Sequence, residues 1–541
     1  TRAHRLDAAA QSINHALALA PDDYVAWTSR GILLLTQGDT DAALEALLKA
    51  SLLEPRYAKA QIHTAIAWYQ LGRMDAAMAA IAKAKQADPN DPLPYFYEAQ
   101  MQRDALNPIA AIAAAQGARD RFPFMKSLAP IATDKQGSSS LGAAYAMLGL
   151  ESWAKRLSAQ TQHPFFAGSY LFAAERASDP LLRNSMLVQG YLTDPTLFGA
   201  SPQRSTLLPR PAGYLSAEWN WSKADTFHSN TPSLIANGYS VAPIPVAGFV
   251  QWDSPHYSFG ATTPSLITAL GLRPHAQWGI FVYRDEFRPR LDDMTINTAS
   301  DRIHGNVVRT DIGTQWQISP TSALWLRAGQ GSDDTLVRSN VRSWDQGYLR
   351  EDKDAGMRFT TLQPSGEWTL GYESGQSQKP AWTQALGTNT HSTILSNTAS
   401  DSTRWFAAWK AQRGDWQWQL GGDYSDFQLN QTGSSTLNFV ATGQQSRLTS
   451  PAIQRQWSGW SPSWGVAWNP SSHSTYRLAW QTGVRPANAV SLAPMDTVGI
   501  PIDIPGVQAG GSFKRLRAQG EWELAGNSYL TAFADHRPSS A

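Results

Sequence analysis

The sequence predicts a two-part α + β chain: an N-terminal α-solenoid of short helical repeats, then an antiparallel transmembrane β-barrel of roughly fourteen to sixteen strands. Three observations predict it. Pro21, Pro55, Pro89 and Pro123 recur every 34 residues in a helical background. From about Gly213 the apolar period changes from helical to two. Charged residues make up only 16% of the chain, which carries 22 Trp, against about 25% charged in soluble domains.

At 541 residues the chain is too long for one core. The net charge of +1, from 45 Lys+Arg against 44 Asp+Glu, gives no electrostatic reason to bind nucleic acid. With no cysteine, disulfide staples, thiolate metal sites and cysteine nucleophiles are excluded. No stretch approaches the about 18 apolar residues of a membrane helix, and a barrel would leave no such trace. Thr1 falls inside a helical pattern with no signal-peptide anatomy, so a processed or partial chain is expected, with more repeats before it.

The solenoid is assigned to residues 1–123 as three full repeats and one partial. Ala43, Ala77 and Ala111 recur in phase, and Ala50, Ala84 and Ala118 follow seven residues later. Small residues are needed there because paired helices approach closely. Larger positions match less strictly: Trp27, Gln61 and Tyr95 at one site, Leu47, Ile81 and Ala115 at another. Gly38 and Gly72 supply the turn between paired helices, where Leu106 stands in the third repeat. Residues 7–21 carry the second half of an earlier repeat. These residues resemble the tetratricopeptide repeats, which implies a concave face that binds a protein or peptide. By repeat phase that face carries Val25, Thr28, Lys59, Ile62, Leu93 and Phe96. The competing reading is a spacer that only stacks.

Residues 124–210 read as a connector. A helical pair is expected over 139–176, with Leu141, Ala144, Tyr145 and Leu148 on one stripe and Gly149 at the turn. Asp179-Pro180, Asp194-Pro195 and Pro209 then break regular structure.

The barrel is assigned to residues 211–541. Leu215, Ala217, Trp219 and Trp221 alternate with Ser216, Glu218, Asn220 and Ser222. Trp405, Ala407, Trp409 and Ala411 lead through Arg413-Gly414-Asp415 to Trp416, Trp418 and Leu420. Further hairpins turn at Asn469-Pro470-Ser471-Ser472 and Ala525-Gly526-Asn527. Strands of roughly 9 to 12 residues suit a tilted crossing of hydrocarbon, with tight turns at one end and long polar connections such as Ser374–Thr403 at the other. Trp219, Trp221, Trp405, Trp409, Trp418 and Trp480 are expected to face lipid. The opposite faces nominate Glu218, Arg327, Arg358, Gln417, Gln419, Asp423, Arg477, Arg515 and Arg517 as lumen residues. A plugged barrel, whose interior charges pair with one another, is the alternative.

The hairpin SPSWGVAWNPSSHSTYRLAWQTGVRP, Ser461 to Pro486, resembles a late hairpin of TonB-dependent receptor barrels. Repeats followed by a barrel also resemble, in architecture, the exopolysaccharide-export porins and the repeat-bearing phage-adsorption proteins of the outer membrane. Those likenesses imply a Gram-negative outer-membrane barrel with its repeats in the periplasm, holding a periplasmic protein or peptide. Lipid would surround the barrel, and a polar polymer such as a polysaccharide would pass. The chain stops at Ser539-Ser540-Ala541 where an aromatic-ended strand is usual, so closing strands are expected beyond it.

No catalytic motif, metal-ligand pattern or phosphate-binding loop appears among the eleven His and the acids. The expectation is therefore no enzyme, no cofactor and no metal. Asp285-Glu286 and Asp292-Asp293 could serve a glycosidase or calcium but fit loop solvation better. Two other readings compete: a receptor, phage-adsorption protein or adhesin that conducts nothing, and a soluble secreted carbohydrate-binding or carbohydrate-active β protein.

Overall fold

The computed structural model describes residues 6–37, 39–105, 107–121, 141–142, 144–145, 185–193 and 195–196. It then describes 212–540 apart from 226, 241–243, 276, 297–298, 320, 340–343, 388, 472, 485–489, 503–510 and 525–527. Most of the expected helical pair over 139–176 and of the irregular joint, with Gly38, Leu106 and Pro123, lies outside the described residues.

Among the described residues, seven helices form the array: α1 (Leu6–Leu19), α2 (Tyr24–Gln37), α3 (Thr40–Leu53), α4 (Ala58–Gln70), α5 (Met74–Ala87), α6 (Pro92–Asp104) and α7 (Pro108–Arg121). Asp39 caps α3 by accepting from the Ala42 N–H, and Asp91 caps α6 ahead of Pro92. Between α4 and α5, Gly72 turns the chain at φ +76°, a conformation that side chains resist. The phased alanines do what their size allows. Ala43, Ala50, Ala77, Ala84 and Ala111 are fully enclosed, so helices pack closely around Leu47, Ile62, Ile81, Phe96 and Met101.

The remaining elements are a short helix, α8 (Ser185–Thr193), and the strands β1 (Ala212–Lys223), β2 (His228–Ser240), β3 (Val246–Asp253), β4 (His256–Tyr257), β5 (Ala261–Thr262), β6 (Ser265–His275), β7 (Trp278–Phe287), β8 (Arg290–Ile296), β9 (Ala299–Ser319), β10 (Ser322–Ser339), β11 (Trp344–Gln363), β12 (Gly366–Leu386), β13 (Thr390–Arg413), β14 (Trp416–Phe439), β15 (Gln445–Ser471), β16 (Ser474–Val484), β17 (Asp496–Thr497), β18 (Ile500–Pro501), β19 (Ser512–Leu524), β20 (Ser528–His536) and β21 (Ser539–Ser540). All but β17 and β18 form one 19-stranded antiparallel sheet, ordered along the chain. Because β4 continues β3, β5 leads into β6, β8 continues β7 and β21 returns beside β19, the sheet makes fifteen passes. Among the described residues, β1 pairs only with β2 and β20 only with β19.

Three passes are interrupted by proline at matching heights. The carbonyls of Pro232, Pro255, Pro264 and Pro289 accept from the N–H groups of Ser254, Thr263, Arg288 and Gly305, at 3.0, 3.1, 2.9 and 2.9 Å. Each proline lacks the donor its own ladder needs, so the breaks run as one row across neighbouring strands.

The expected long connection Ser374–Thr403 is corrected. Ser374 and Thr403 are register partners in the tall β12–β13 hairpin, and only 387–389 join the two strands. Serine, threonine and asparagine fill both faces there, so no apolar period marks the strands. Passes from β9 to β15 run 18 to 27 residues, whereas β16 has 11. β16 pairs with β15 only from Ser463 to Ser471, so among the described residues the far half of β15 has a partner on the β14 side alone.

The sheet is curled. Ile235 on β2 and Phe406 on β13 belong to one buried cluster with Val188, Tyr191 and Leu192 of α8. Seven strands intervene between β2 and β13 in the pairing order, which at about 4.8 Å each would hold them about 40 Å apart in a flat sheet. Curvature around an inserted core brings them together.

Candidate functional site

The concave face of the sheet is polar, and segments of the same chain fill it. Strand phase places Arg327, Gln417, Gln419, Asp423, Arg477 and Arg515 on this face, all buried, with Arg358 and Arg517 half-buried beside them. Glu218 lies on the edge strand β1 and is exposed. The buried charges among them pair. Arg309 and Arg327, on β9 and β10, share Asp311 and Asp354 through contacts of 2.6 to 3.1 Å, and all four side chains are almost wholly enclosed. Arg477 meets Glu521 at 3.0 Å, and Arg515 meets Asp535 at 2.7 Å. Pairing offsets the desolvation of these charges, since an unpaired buried charge is costly.

Among the described residues, two inserts enter this space. Helix α8 stacks Tyr191 on Phe281 at 4.9 Å, and the chain after it presses Pro195 against Gly271 and Gly279. A Cβ at Gly271 would stand 1.8 Å from the Pro195 carbonyl oxygen, so only glycine admits this approach. The second insert is the segment between β16 and β19. Arg358 donates to Gln189 of α8 (3.1 Å) and to the Leu492 carbonyl (3.3 Å). The Gln189 amide donates to the carbonyls of Ser491 and Ala493 at 2.8 and 3.0 Å. Lower down, Gln419 grips the β17–β18 turn, donating to the Asp496 carbonyl (2.7 Å) and accepting from the Val498 N–H (2.9 Å). Gln481 donates to the Ile500 carbonyl and Arg515 to that of Pro501, at 2.9 and 2.8 Å. Val498 holds φ +49°, a strained setting for a β-branched residue.

Above that insert lies a narrow cleft of about 20 Å³, bordered by Asp354, Glu373, Ser402, Arg404, Phe427 and Val490. Glu373 and Arg404 are register partners on β12 and β13. The strand phase that selected Arg358 could have found both. Gln189 and Ser491, by contrast, sit in segments with no period to read.

The convex face is apolar and uncovered. Trp219 and Trp221 are 69% and 63% exposed, Trp405 is 57% and Trp418 36%, while Trp409 and Trp480 are half-buried among their neighbours. Near the two-residue turns, Trp416, Trp468, Tyr476 and Trp522 form a continuous row with centroids 5.5 to 5.7 Å apart. Tyr424–Trp460 and Tyr372–Trp405 make a second row farther up. The eight residue steps from Trp416 to Tyr424 span about 26 Å along the strand, or about 19 Å of height at a 45° tilt.

The repeat candidates divide. Val25 and Lys59 are exposed, but Thr28, Ile62, Leu93 and Phe96 are buried. Ile62, Leu93 and Phe96 belong to the array's own core, so these four are corrected from contact surface to packing. The face was assigned by phase, and phase does not distinguish the inner stripe of a helix from the stripe beside it. The array meets the sheet at the two-residue-turn end. Gln116 of α7 donates to Glu523, Arg119 lies 3.8 Å from Glu523, and Tyr145 meets Tyr529 edge-on at 5.1 Å.

Of the acid pairs, Glu286 is held between Arg284 and Arg288 at 2.6 and 2.8 Å, and Asp292 and Asp293 lie on β8. Among the described helices none is long and apolar enough to cross a membrane, which says nothing of crossing by strands.

Residues 2–52 and 28–92 match the tetratricopeptide repeat family model, so the helical array is built of these repeats. The strand half is similar to the ferric yersiniabactin uptake receptor of Yersinia pestis, at 9% identity and a TM-score of 0.46, over 61% of this chain and 55% of that one. It is also similar to the alcaligin outer-membrane receptor of Bordetella pertussis, at 9% identity and a TM-score of 0.40, over 61% and 52%. A thermophilic tetratricopeptide protein of Thermus thermophilus matches at 20% identity and a TM-score of 0.26, over 35% and 90%. The chain spans about half the length of the two receptors.

Proposed function

We propose that the chain is an outer-membrane β-barrel with a periplasmic repeat scaffold, moving a polar substrate across the membrane under the control of its own plug. One observation carries this reading: the convex face exposes rows of tryptophan and leucine, while the concave face buries charge. Water would favour the reverse arrangement and hydrocarbon favours this one. Strands in lipid need every backbone group paired, so the sheet closes in its membrane-bound form. The repeats sit at the two-residue-turn end, which in such barrels faces the periplasm, and there they would hold a protein or peptide. A polysaccharide or related envelope polymer suits the Arg, Gln and Ser of the interior best.

Purified into detergent, the chain should migrate differently on a denaturing gel before and after boiling. It should also give rare, small currents in a planar bilayer, enlarged when 490–501 is deleted. If the strand half remains soluble and monomeric without detergent, the membrane reading falls.

The filled interior specifically favours a second reading, a surface receptor or phage-adsorption protein that conducts nothing. That reading requires the deletion to leave the bilayer silent.

A further inference from the structure

We propose that Glu373 and Arg404 form a subsite for a hydroxyl of a neutral glycan, occupied at rest by the chain's own Ser491. The proposal rests on the transport reading above and names the group that substrate would engage. The Ser491 hydroxyl lies within 2.9 and 3.0 Å of the two Glu373 carboxylate oxygens, to which it donates. It accepts from Arg404 Nη1 at 3.2 Å and from the Ala493 N–H at 3.0 Å. A hydroxyl is at once a donor and an acceptor, whereas a carboxylate only accepts and a guanidinium only donates. Set side by side, the two satisfy one hydroxyl fully, and neither alone does.

The pair is held in place from behind. Arg404 Nη2 donates to Asp423 at 2.8 Å, and Ser425 donates to the other Asp423 oxygen at 2.9 Å. Glu373 also receives the Leu492 N–H. The open cleft begins beside Ser491, at Val490, and continues past Ser402, Ser425 and Phe427. By strand register it lies on the side of the insert away from the two-residue turns, the side from which a ligand in the cleft would reach the pair. With Ser491 in place the cleft admits little more than one water, so a sugar ring enters only as the insert gives way; small hydroxyls and one aromatic ring beside an acid–guanidinium pair then offer it polar and apolar contacts. A sugar hydroxyl arriving there takes over the Ser491 bonds to Glu373 and Arg404, while the Ala493 N–H stays with the insert. Ser491 also anchors the insert, because its carbonyl accepts from Gln189 and its neighbour Leu492 accepts from Arg358. Exchange therefore loosens the plug at the same point where the ligand binds.

The test uses the full chain in planar bilayers, with maltohexaose and cellohexaose as probes. Ser491→Ala should open several-fold more often than the parent, and at least one probe should block its current. Adding Glu373→Gln to Ser491→Ala should weaken that block about tenfold, the size of one charge-assisted hydrogen bond. Current indifferent to both sugars, or block unchanged by Glu373→Gln, overturns the subsite while leaving conduction standing. If no variant conducts, the transport reading falls and the subsite is judged by tryptophan fluorescence in detergent. A saturable change in Ser491→Ala that is lost with Glu373→Gln then upholds it, and no change with either sugar overturns it. Heat-modifiable migration of each variant confirms that it is folded.

Discussion

The helical array and the strand half solve opposite solvent problems with the same residue types. The array encloses Ala43, Ala77, Leu47, Ile62 and Phe96 and leaves Glu45, Lys49, Arg56 and Lys59 on the outside. The strand half turns this inside out, enclosing Arg309, Asp311, Arg477 and Glu521 and presenting Trp219, Trp405 and Leu420 outward. The contrast teaches that a hydrophobic period reports which face is apolar, not whether that face is inside. The surrounding medium decides that, and the medium is read from what fills the other face.

The contrast can be broken at its strongest point by removing one buried charge. Asp311→Ala leaves Arg309 and Arg327 to share Asp354, and should lower stability by about 3–5 kcal/mol, read as an earlier loss of heat-modifiable migration. A surface substitution sharpens it. Leu420 is 53% exposed between the two aromatic rows, so Leu420→Arg should cost about 2–4 kcal/mol in lipid but almost nothing in water. Urea unfolding in vesicles distinguishes the two, and an unchanged midpoint would refute the lipid-facing assignment. In the array the matching substitution is Ala77→Leu, which overfills a closed contact and should cost about 1–3 kcal/mol in the thermal melt of the helical signal.

The smallest effect is a pH dependence. Burial lowers His63 on α4 to about 4, while an unfolded histidine titrates near 6.5. The folded array therefore binds fewer protons than the unfolded chain in that interval. The stability tied to neutral His63 is complete above about pH 6.5 and declines as pH falls toward 4. Helical melts at pH 7 and pH 4.5 should differ less in His63→Gln than in the parent.

Most of the fold was legible in the sequence because its elements repeat. The 34-residue alanine phase marks the array, and the Trp416–Trp418–Leu420 alternation marks a strand with one apolar side. Strand phase also selected Arg358, Gln419, Asp423 and Arg515, which in the structure hold the inserts or their neighbours. What escaped has no period. Helix α8 and residues 490–501 take their place from tertiary contacts with Gly271, Gln419 and Glu373. The tall hairpins beyond Ser374 are polar on both faces, so their composition is that of a loop although their backbone is fully laddered.

The unequal heights of β15 and β16 have one more consequence. From Gln445 to about Trp460, one side of β15 has no strand partner among the described residues, and such a margin can recruit a second molecule into fibrils. Pro451 removes a donor from that margin at the point where the β14 register slips, and Arg447 and Arg455 place like charges along it. The raised wall thus carries its own safeguard against templated aggregation, and loss of Pro451 is the change that would expose it.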